Sequence, residues 1–296
     1  MLEVTSPVAV RDILNRYRLA CRKSRGQNFL IDHNIAAKIV AAADLSPADL
    51  VVEIGPGLGA LTTRAAGLAG RVLGVEIDRG FLLPLEEVLA GLQNVLVIQG
   101  DALEIDFDRL VQEQTEGVFG REGKRYKLLA NLPYYITSPL LMRLLHEHYN
   151  LSLMVIMVQL EVAARLVAMP GSKDYGALSV AVQFFAEVKL LFRVPKTVFF
   201  PVPAVDSAVV RLVMRQRPAV PVQDEKTFFK VVRAAFGKRR KTLLNALATS
   251  DLGVDKELLK TVLRSCGINP DRRGETLCLA EFARLTDSLV KLKEYR

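Results

Sequence analysis

The sequence predicts an α/β protein: a mostly parallel, doubly wound sheet followed by a small C-terminal α-helical domain. Three observations carry that reading. Short, near-continuous apolar runs rich in Val, Ile and Leu recur through the first two thirds of the chain. Such runs suit strands buried on both faces of a parallel sheet. Helical stretches lie between them, and alternation of this kind builds right-handed βαβ units. After Arg217 the pattern gives way to a tail rich in Ala, Leu, Lys and Arg.

The runs are Leu50 to Ile54, Val72 to Ile77, Val95 to Ile98, Leu128 to Ala130 and Leu153 to Val158. Leu61 to Leu68, Phe81 to Ala90 and Pro139 to His148 read as helices between them. Ala208 to Met214 reads as a further strand, entered through the Pro-rich turn Pro201-Val202-Pro203. The segment Arg217-Pro-Ala-Val-Pro-Val-Gln223 reads as a linker, so residues 1–217 form the sheet domain and 218–296 the helical one. No internal repeat or low-complexity tract interrupts either.

Half of the 296 residues are apolar, enough for one sizeable core and a smaller second one. Met1-Leu2-Glu3-Val4 does not open like a secretory leader, and Leu151 to Leu160 is too short an apolar run to cross a bilayer. Cys21, Cys266 and Cys278 are scattered, with no CxxC pair. They suggest neither a disulfide framework nor a zinc site, and a reducing cytoplasm fits. His33, His146 and His148 form no metal-binding pattern, so no metal is expected.

The net charge of +8 is unevenly placed. Residues 11–38 carry seven Lys/Arg against two Asp/Glu, residues 39–188 carry eleven against eighteen, and residues 189–246 carry thirteen against three. Two basic blocks flanking an acidic middle point to a polyanionic partner such as nucleic acid rather than to a membrane. The densest run, Lys238-Arg239-Arg240-Lys241, continues a helical apolar pattern of Val231, Val232, Ala235, Leu243, Leu244 and Leu247. Four adjacent cations on a helix suit contacts to phosphates.

The chemistry lies at successive strand ends. The first strand runs into Glu53-Ile-Gly55-Pro-Gly57-Leu-Gly59-Ala60. Its glycines permit a tight turn and close approach of a ligand to backbone. Alone, the turn is equally compatible with a dinucleotide fingerprint. Glu76 closes the second strand, where a carboxylate can hold both hydroxyls of a ribose. Asp101, after the third, can accept from an adenine amino group, although an Asp behind a Gly is also a common turn residue. Together these describe a nucleoside site. Asn131-Leu132-Pro133-Tyr134 then follows the fourth strand. An exocyclic adenine nitrogen is a poor nucleophile because its lone pair is delocalised into the ring. Acceptors on its two hydrogens draw it toward tetrahedral geometry. The Asn131 side-chain oxygen and the carbonyl of Leu132 or Pro133 can supply them, while Pro133 stiffens the turn and Tyr134 offers a stacking face. Positioning and electrostatics then suffice for transfer from a methyl donor.

The chain resembles the KsgA/RsmA family of small-subunit ribosomal RNA adenine dimethyltransferases. The resemblance rests on Gly26-Gln-Asn-Phe-Leu30, Glu53 to Gly59, Gly100-Asp-Ala102, Asn131 to Tyr134, Pro170 to Ser179, Val205 to Leu212 and Phe236 to Thr242. It implies a Rossmann-like methyltransferase sheet and S-adenosylmethionine as co-substrate. The implied target is a pair of adjacent adenines in a 3′-terminal hairpin loop of small-subunit RNA, within an assembling 30S particle. It implies that Asn28 and Leu30 close over the donor, that Gly55, Gly57, Glu76, Asp101 and Asn131 contact it, and that Phe199 stacks on the flipped-out adenine. A cytoplasmic monomer is expected. Arg25 and the polar stretch Gln112 to Arg125 depart from the family pattern. Three alternatives remain: a large-subunit adenine methyltransferase of the antibiotic-resistance type, a nicotinamide-dependent dehydrogenase, and a non-catalytic RNA-binding assembly factor.

Overall fold

The structure is a computed structural model that describes residues 4–20, 27–238 and 240–294. The chain divides into two units, Met1–Ala163 with Val188–Met214, and Ala164–Glu187 with Arg215–Arg296.

In chain order, the first unit opens with α1 (Pro7–Arg16), β1 (Phe29–Leu30), α2 (His33–Ala41), β2 (Leu50–Ile54) and α3 (Thr62–Ala66). It continues through β3 (Arg71–Glu76), α4 (Leu82–Leu89), β4 (Val95–Gln99), α5 (Phe107–Gln114) and β5 (Tyr126–Asn131). Then come α6 (Thr137–His146), β6 (Leu151–Gln159) and α7 (Leu160–Val167), whose last turn passes into the second unit. After α8 (Ala177–Phe185) the chain returns through β7 (Ala186–Val194), β8 (Phe199–Phe200) and β9 (Ser207–Met214).

The expected doubly wound sheet is present. Its order is β4-β3-β2-β5-β6-β9-β7. Pairing is parallel from β4 through β6 and antiparallel between β6 and β9. All five residues of β2 are buried, which is why a run apolar at every position but Glu53 was legible as a strand. The winding reverses between β2 and β5. In such sheets the loops at the carboxyl ends of the two strands diverge there and leave a crevice. A separate two-stranded ribbon pairs β1 with β8, with Phe29 opposite Phe200 and Leu30 opposite Phe199.

The polar stretch after α5 is fastened rather than loose. Asp108, itself buried, accepts from the Tyr126 hydroxyl at 2.9 Å and the Asn150 amide at 2.9 Å. The Asn150 side chain in turn donates to the carbonyls of Gly120 and Gly123.

The second unit holds α8, α9 (Glu225–Phe236), α10 (Leu243–Ala248), α11 (Lys256–Ser265) and α12 (Leu279–Glu294). An aromatic cluster is its core: Phe184 stacks on Phe228 at 4.7 Å between ring centroids, and Phe185 on Phe229 at 5.6 Å. These rings explain why 164–187 groups with the tail rather than with residues 1–217. The boundary expected near Pro218 falls close to the Met214/Arg215 division, but the second unit also takes this earlier segment. One helical expectation is corrected. Lys238, Arg240 and Lys241 lie in a turn between α9 and α10, not within a continuous helix. Gly237 caps α9, and the Thr242 hydroxyl accepts from the Asn245 amide to start a new helix. Arg239 lies outside the described residues.

Candidate active site

The crevice between β2 and β5 is a cavity of about 1260 Å³, its open mouth included. Asn28, Leu30, Gly55, Gly57, Glu76, Asp101, Asn131, Leu132, Pro133 and Tyr134 all line it. Residues spread over a hundred positions thus converge at the carboxyl edge of the sheet.

The glycine turn leaves β2 with positive φ at Gly55 (+68°) and Gly57 (+60°), a region L side chains rarely adopt. At Gly55 an added Cβ would meet nothing within 4 Å, so the backbone there faces open space. At Gly57 a Cβ would press on the Phe29 ring at 3.2 Å. The segment from Gln27 to Leu30 therefore lies across the turn. It is fastened elsewhere too, since the Gln27 amide donates to Asp78 Oδ2 at 3.0 Å.

Glu76 is almost fully buried. Its Oε2 accepts from the Gly57 amide at 3.1 Å and its Oε1 from the Asp78 amide at 2.8 Å. Burial raises its pKa, and these amide bonds to the charged form oppose the rise. Each carboxylate oxygen retains a second lone pair for a ligand hydroxyl. Asp101 shapes the turn that follows β4. Its Oδ1 accepts from the Leu103 amide at 2.8 Å, and the residue also lines the cavity.

Asn131 ends β5. Its Nδ2 donates to the backbone carbonyl of Asn28 at 3.1 Å. A carbonyl only accepts, so this bond fixes the orientation of the amide and leaves Oδ1 as a committed acceptor. The following turn distinguishes its two carbonyls. That of Pro133 already accepts from the Ile136 amide at 3.2 Å and the Thr137 hydroxyl at 3.1 Å, at the start of α6. Leu132 donates its amide to the Met157 carbonyl, and its own carbonyl has no partner among the described residues. Asn131 Oδ1 and the Leu132 carbonyl are thus the acceptors that this turn leaves open. Tyr134 lines the cavity with its hydroxyl 3.0 Å from Ser207 Oγ. Burial raises its pKa, so the phenol stays neutral.

Phe199 does not stand where the sequence placed it. Its ring is 1% exposed, is packed in the apolar cluster that includes Leu30, Ala36, Ile39 and Val209, and does not line the cavity. The β1–β8 pairing sets Phe199 opposite Leu30 and commits it to the core. The aromatic residues that line the cavity are instead Phe29, Phe81, Tyr134 and Tyr135, the last 54% exposed.

Glu53 was not among the expected site residues. It lines the cavity at 2% exposure, and its Oε2 has no hydrogen-bond partner. Burial, with a smaller contribution from the charge on Glu76, pushes its pKa up to about 7. A lone carboxylate inside the run Leu50-Val-Val-Glu-Ile54 was the available signal. Among the described residues no group of His, Cys, Asp or Glu could hold a metal ion, and no helix is long and apolar enough to cross a membrane.

The family model described as ribosomal RNA adenine dimethylase matches residues 18–290. The chain belongs to that family. It is 66% identical, over 98% of its own length and 98% of the relative's, to ribosomal RNA small subunit methyltransferase A of Pelotomaculum thermopropionicum. The protein of the same name from Moorella thermoacetica is 52% identical over 98% of this chain and 99% of that one. Among solved structures, a dimethyladenosine transferase from Plasmodium falciparum superposes with a TM-score of 0.71 at 26% identity. That superposition covers 88% of this chain and 96% of the other. The 23S rRNA methyltransferase ErmE gives 0.66 at 26% identity, covering 89% and 100%. Membership of this family excludes the dehydrogenase alternative for the glycine turn.

Proposed function

We propose that the chain transfers methyl groups from S-adenosylmethionine to N6 of adenine in small-subunit ribosomal RNA, twice per base. The observation that carries this is the pair of acceptors at Asn131 and Leu132, one oriented by Asn28 and both at the cavity. High-identity relatives named for the small subunit favour that RNA over the large-subunit one.

The cavity suits the donor on its own features. Gly55 presents bare backbone, Glu76 is preset by two amides, and Glu53 leaves a buried oxygen without a partner. Glu76 would hold the ribose hydroxyls and Asp101 the adenine amino group. Glu53 would face the cationic amino-acid end, a charge that suits a carboxylate held away from water. Asn28 and Leu30 would cover the bound molecule. When bound, it supplies an electrophilic methyl group on a sulfonium.

The remaining work belongs to the chain. The target amino group donates its two hydrogens to Asn131 Oδ1 and the Leu132 carbonyl, which localises the lone pair on nitrogen. Positive charge developing on that nitrogen then faces two oxygens already in place. One proton passes from the nitrogen to water after each transfer, so the second transfer starts from an amine with a single hydrogen to donate, and the reaction ends at the dimethylated base. Tyr134 offers its ring face to the base, an interaction worth about 1–3 kcal/mol. Reaching this depth requires the base to leave its stack.

The RNA is held in addition by cations at Lys238, Arg240 and Lys241, all exposed, and by Arg239 beside them in sequence. The sheet-bearing part thus carries the chemistry and the helical part contacts RNA, in a cytoplasmic monomer acting on an assembling particle. The test is methyl transfer from labelled donor to undermethylated small subunits, followed by nucleoside analysis. N6,N6-dimethyladenosine in the small-subunit RNA is the expected product. Label in large-subunit RNA alone would refute the assignment of substrate, and no label in either would refute catalysis.

A further inference from the structure

The second unit contains a groove that the methyl-transfer reading leaves unused. Lys256, Lys260 and Arg264 line it from α11. They stand at i, i+4 and i+8, so helical geometry sets them on one face with about 6 Å of rise between neighbours. Thr242 and Asn245, at the start of α10, contribute a hydroxyl and an amide. The loop from Gly267 to Asp271 completes the lining. Hydrogen bonds fix that loop to α10, from the Leu243 amide to the Arg272 carbonyl at 2.6 Å and from the Leu244 amide to the Pro270 carbonyl at 3.2 Å.

Charge and chemistry identify the occupant. None of the three cations has an ion-pair partner among the described residues, whereas Arg272 and Arg215 of the same unit pair with Glu281 and Glu187. The acidic groups in the lining are Glu257 and Asp271, so the cations are in excess, and Arg240 and Lys241 extend that excess along the chain leading to Thr242. The apolar residues of the groove, Leu244 and Ile268, are buried. It therefore offers charges and hydrogen-bond donors without the exposed apolar anchor of a protein interface. A line of cations at regular rise matches a strand of successive phosphates.

We propose that this groove binds the sugar–phosphate backbone of the substrate RNA, with Lys256, Lys260 and Arg264 each neutralising a phosphate and Asn245 adding a polar contact. The proposal rests on the reading of the chain as an RNA methyltransferase and extends its RNA surface beyond Lys238 to Lys241.

The test uses the full-length protein carrying Lys256→Gln, Lys260→Gln and Arg264→Gln together, with an unmodified small-subunit rRNA transcript as the probe. Each lost phosphate contact removes about 0.7–0.9 from the slope of log affinity against log salt. The expected result is a slope shallower by about 2–3 and a Kd raised about ten-fold or more at 0.1 M salt. The affinity for S-adenosylmethionine and the rate at saturating RNA should be unchanged. Glu257→Gln should tighten RNA binding about two- to five-fold at the same salt. A triple variant with the wild-type melting temperature, slope and Kd overturns the proposal and would leave the groove to an acidic protein. If the triple variant loses its fold, Lys256→Gln with Arg264→Gln carries the same test at exposed positions, with an expected slope change of about 1.5–2. The two readings fail separately. Wild-type protein that binds RNA through these cations but transfers no methyl group refutes the activity, while full transfer with an unaltered salt slope in the variant refutes the groove.

Discussion

Glu53→Gln removes a buried charge while nearly preserving shape, and it should make the empty protein more stable. Glu53 is the fourth residue of a strand in which every position is buried, and its Oε2 has no partner. Burial pushes its pKa from 4.5 up to about 7. At ~1.36 kcal/mol for each unit of pKa, that gap corresponds to roughly 3 kcal/mol against the ionised folded state. The sign follows from which state binds the proton more tightly. Below pH 4.5 the carboxyl is protonated in folded and unfolded chains alike, and the substitution changes little. Between pH 4.5 and about 7 the unfolded chain ionises first, so wild-type protein loses stability that the Gln variant keeps. Above pH 7 the difference is complete. For a unit of this size roughly 3 kcal/mol amounts to a melting temperature higher by about 6–12 °C. Thermal melts of both proteins from pH 4.5 to 8.5 measure it. The variant should gain nothing at the acid end and its full advantage by pH 8, while binding S-adenosylmethionine more weakly. A melting difference that stays constant across this range would refute the account of Glu53 as a buried, titrating carboxylate.

Asn131→Asp keeps the shape of the side chain but cannot donate to the Asn28 carbonyl. Its kcat should fall about 100-fold or more while RNA affinity holds, read in single-turnover methyl transfer. Gly57→Ala sets a methyl group against Phe29 at a φ of +60°. Titration calorimetry should show donor affinity reduced about ten-fold or more, with a strain of ~1–2 kcal/mol in the turn. Phe199→Ala opens a hole in the core, for which about 3–5 kcal/mol of stability is expected, read by denaturation. The fraction still folded should retain near-wild-type affinity for an adenine-containing RNA, whereas loss of that affinity at full stability would restore a stacking role to Phe199.

How much could be read in advance depended on whether the information was local. The strand Leu50–Ile54 was legible to the residue because burial on both faces leaves a run that is apolar at every position but Glu53. The cavity-lining positions at the ends of β2, β3, β4 and β5 were legible for a related reason, since each glycine or polar group ends or follows an apolar run. β7 was not, because Glu187, Lys189 and Arg193 interrupt its apolar pattern at the edge of the sheet. Phe199 was misplaced because its environment is set by pairing with Leu30, some 170 positions earlier in the chain. The turn that holds Lys238, Arg240 and Lys241 was read as helix because the apolar spacing continues across it, and the capping by Gly237 and Thr242 outweighed that spacing. Glu53 was visible only as part of the glycine-turn motif, because its burial depends on neighbouring strands that the motif does not contain.

The geometry of this cavity explains how so few side chains suffice for the reaction. Its central acceptor is oriented by a main-chain carbonyl, that of Asn28, and its second acceptor is itself a main-chain carbonyl, that of Leu132. Its buried carboxylate, Glu76, is set by the amides of Gly57 and Asp78. Backbone groups held by a sheet and a packed ribbon move little, so their orientation is established before any ligand arrives and no reorganisation falls on the transfer step. The cost appears as burial. Glu53 and Glu76 both have raised pKa values because the same packing that fixes the backbone keeps water from them. The site is thus rigid where the adenine nitrogen must be shaped and electrostatically unsatisfied where a cationic donor would be held. That division makes an incoming cation the natural complement of a cavity that is unstable, in this one respect, without it.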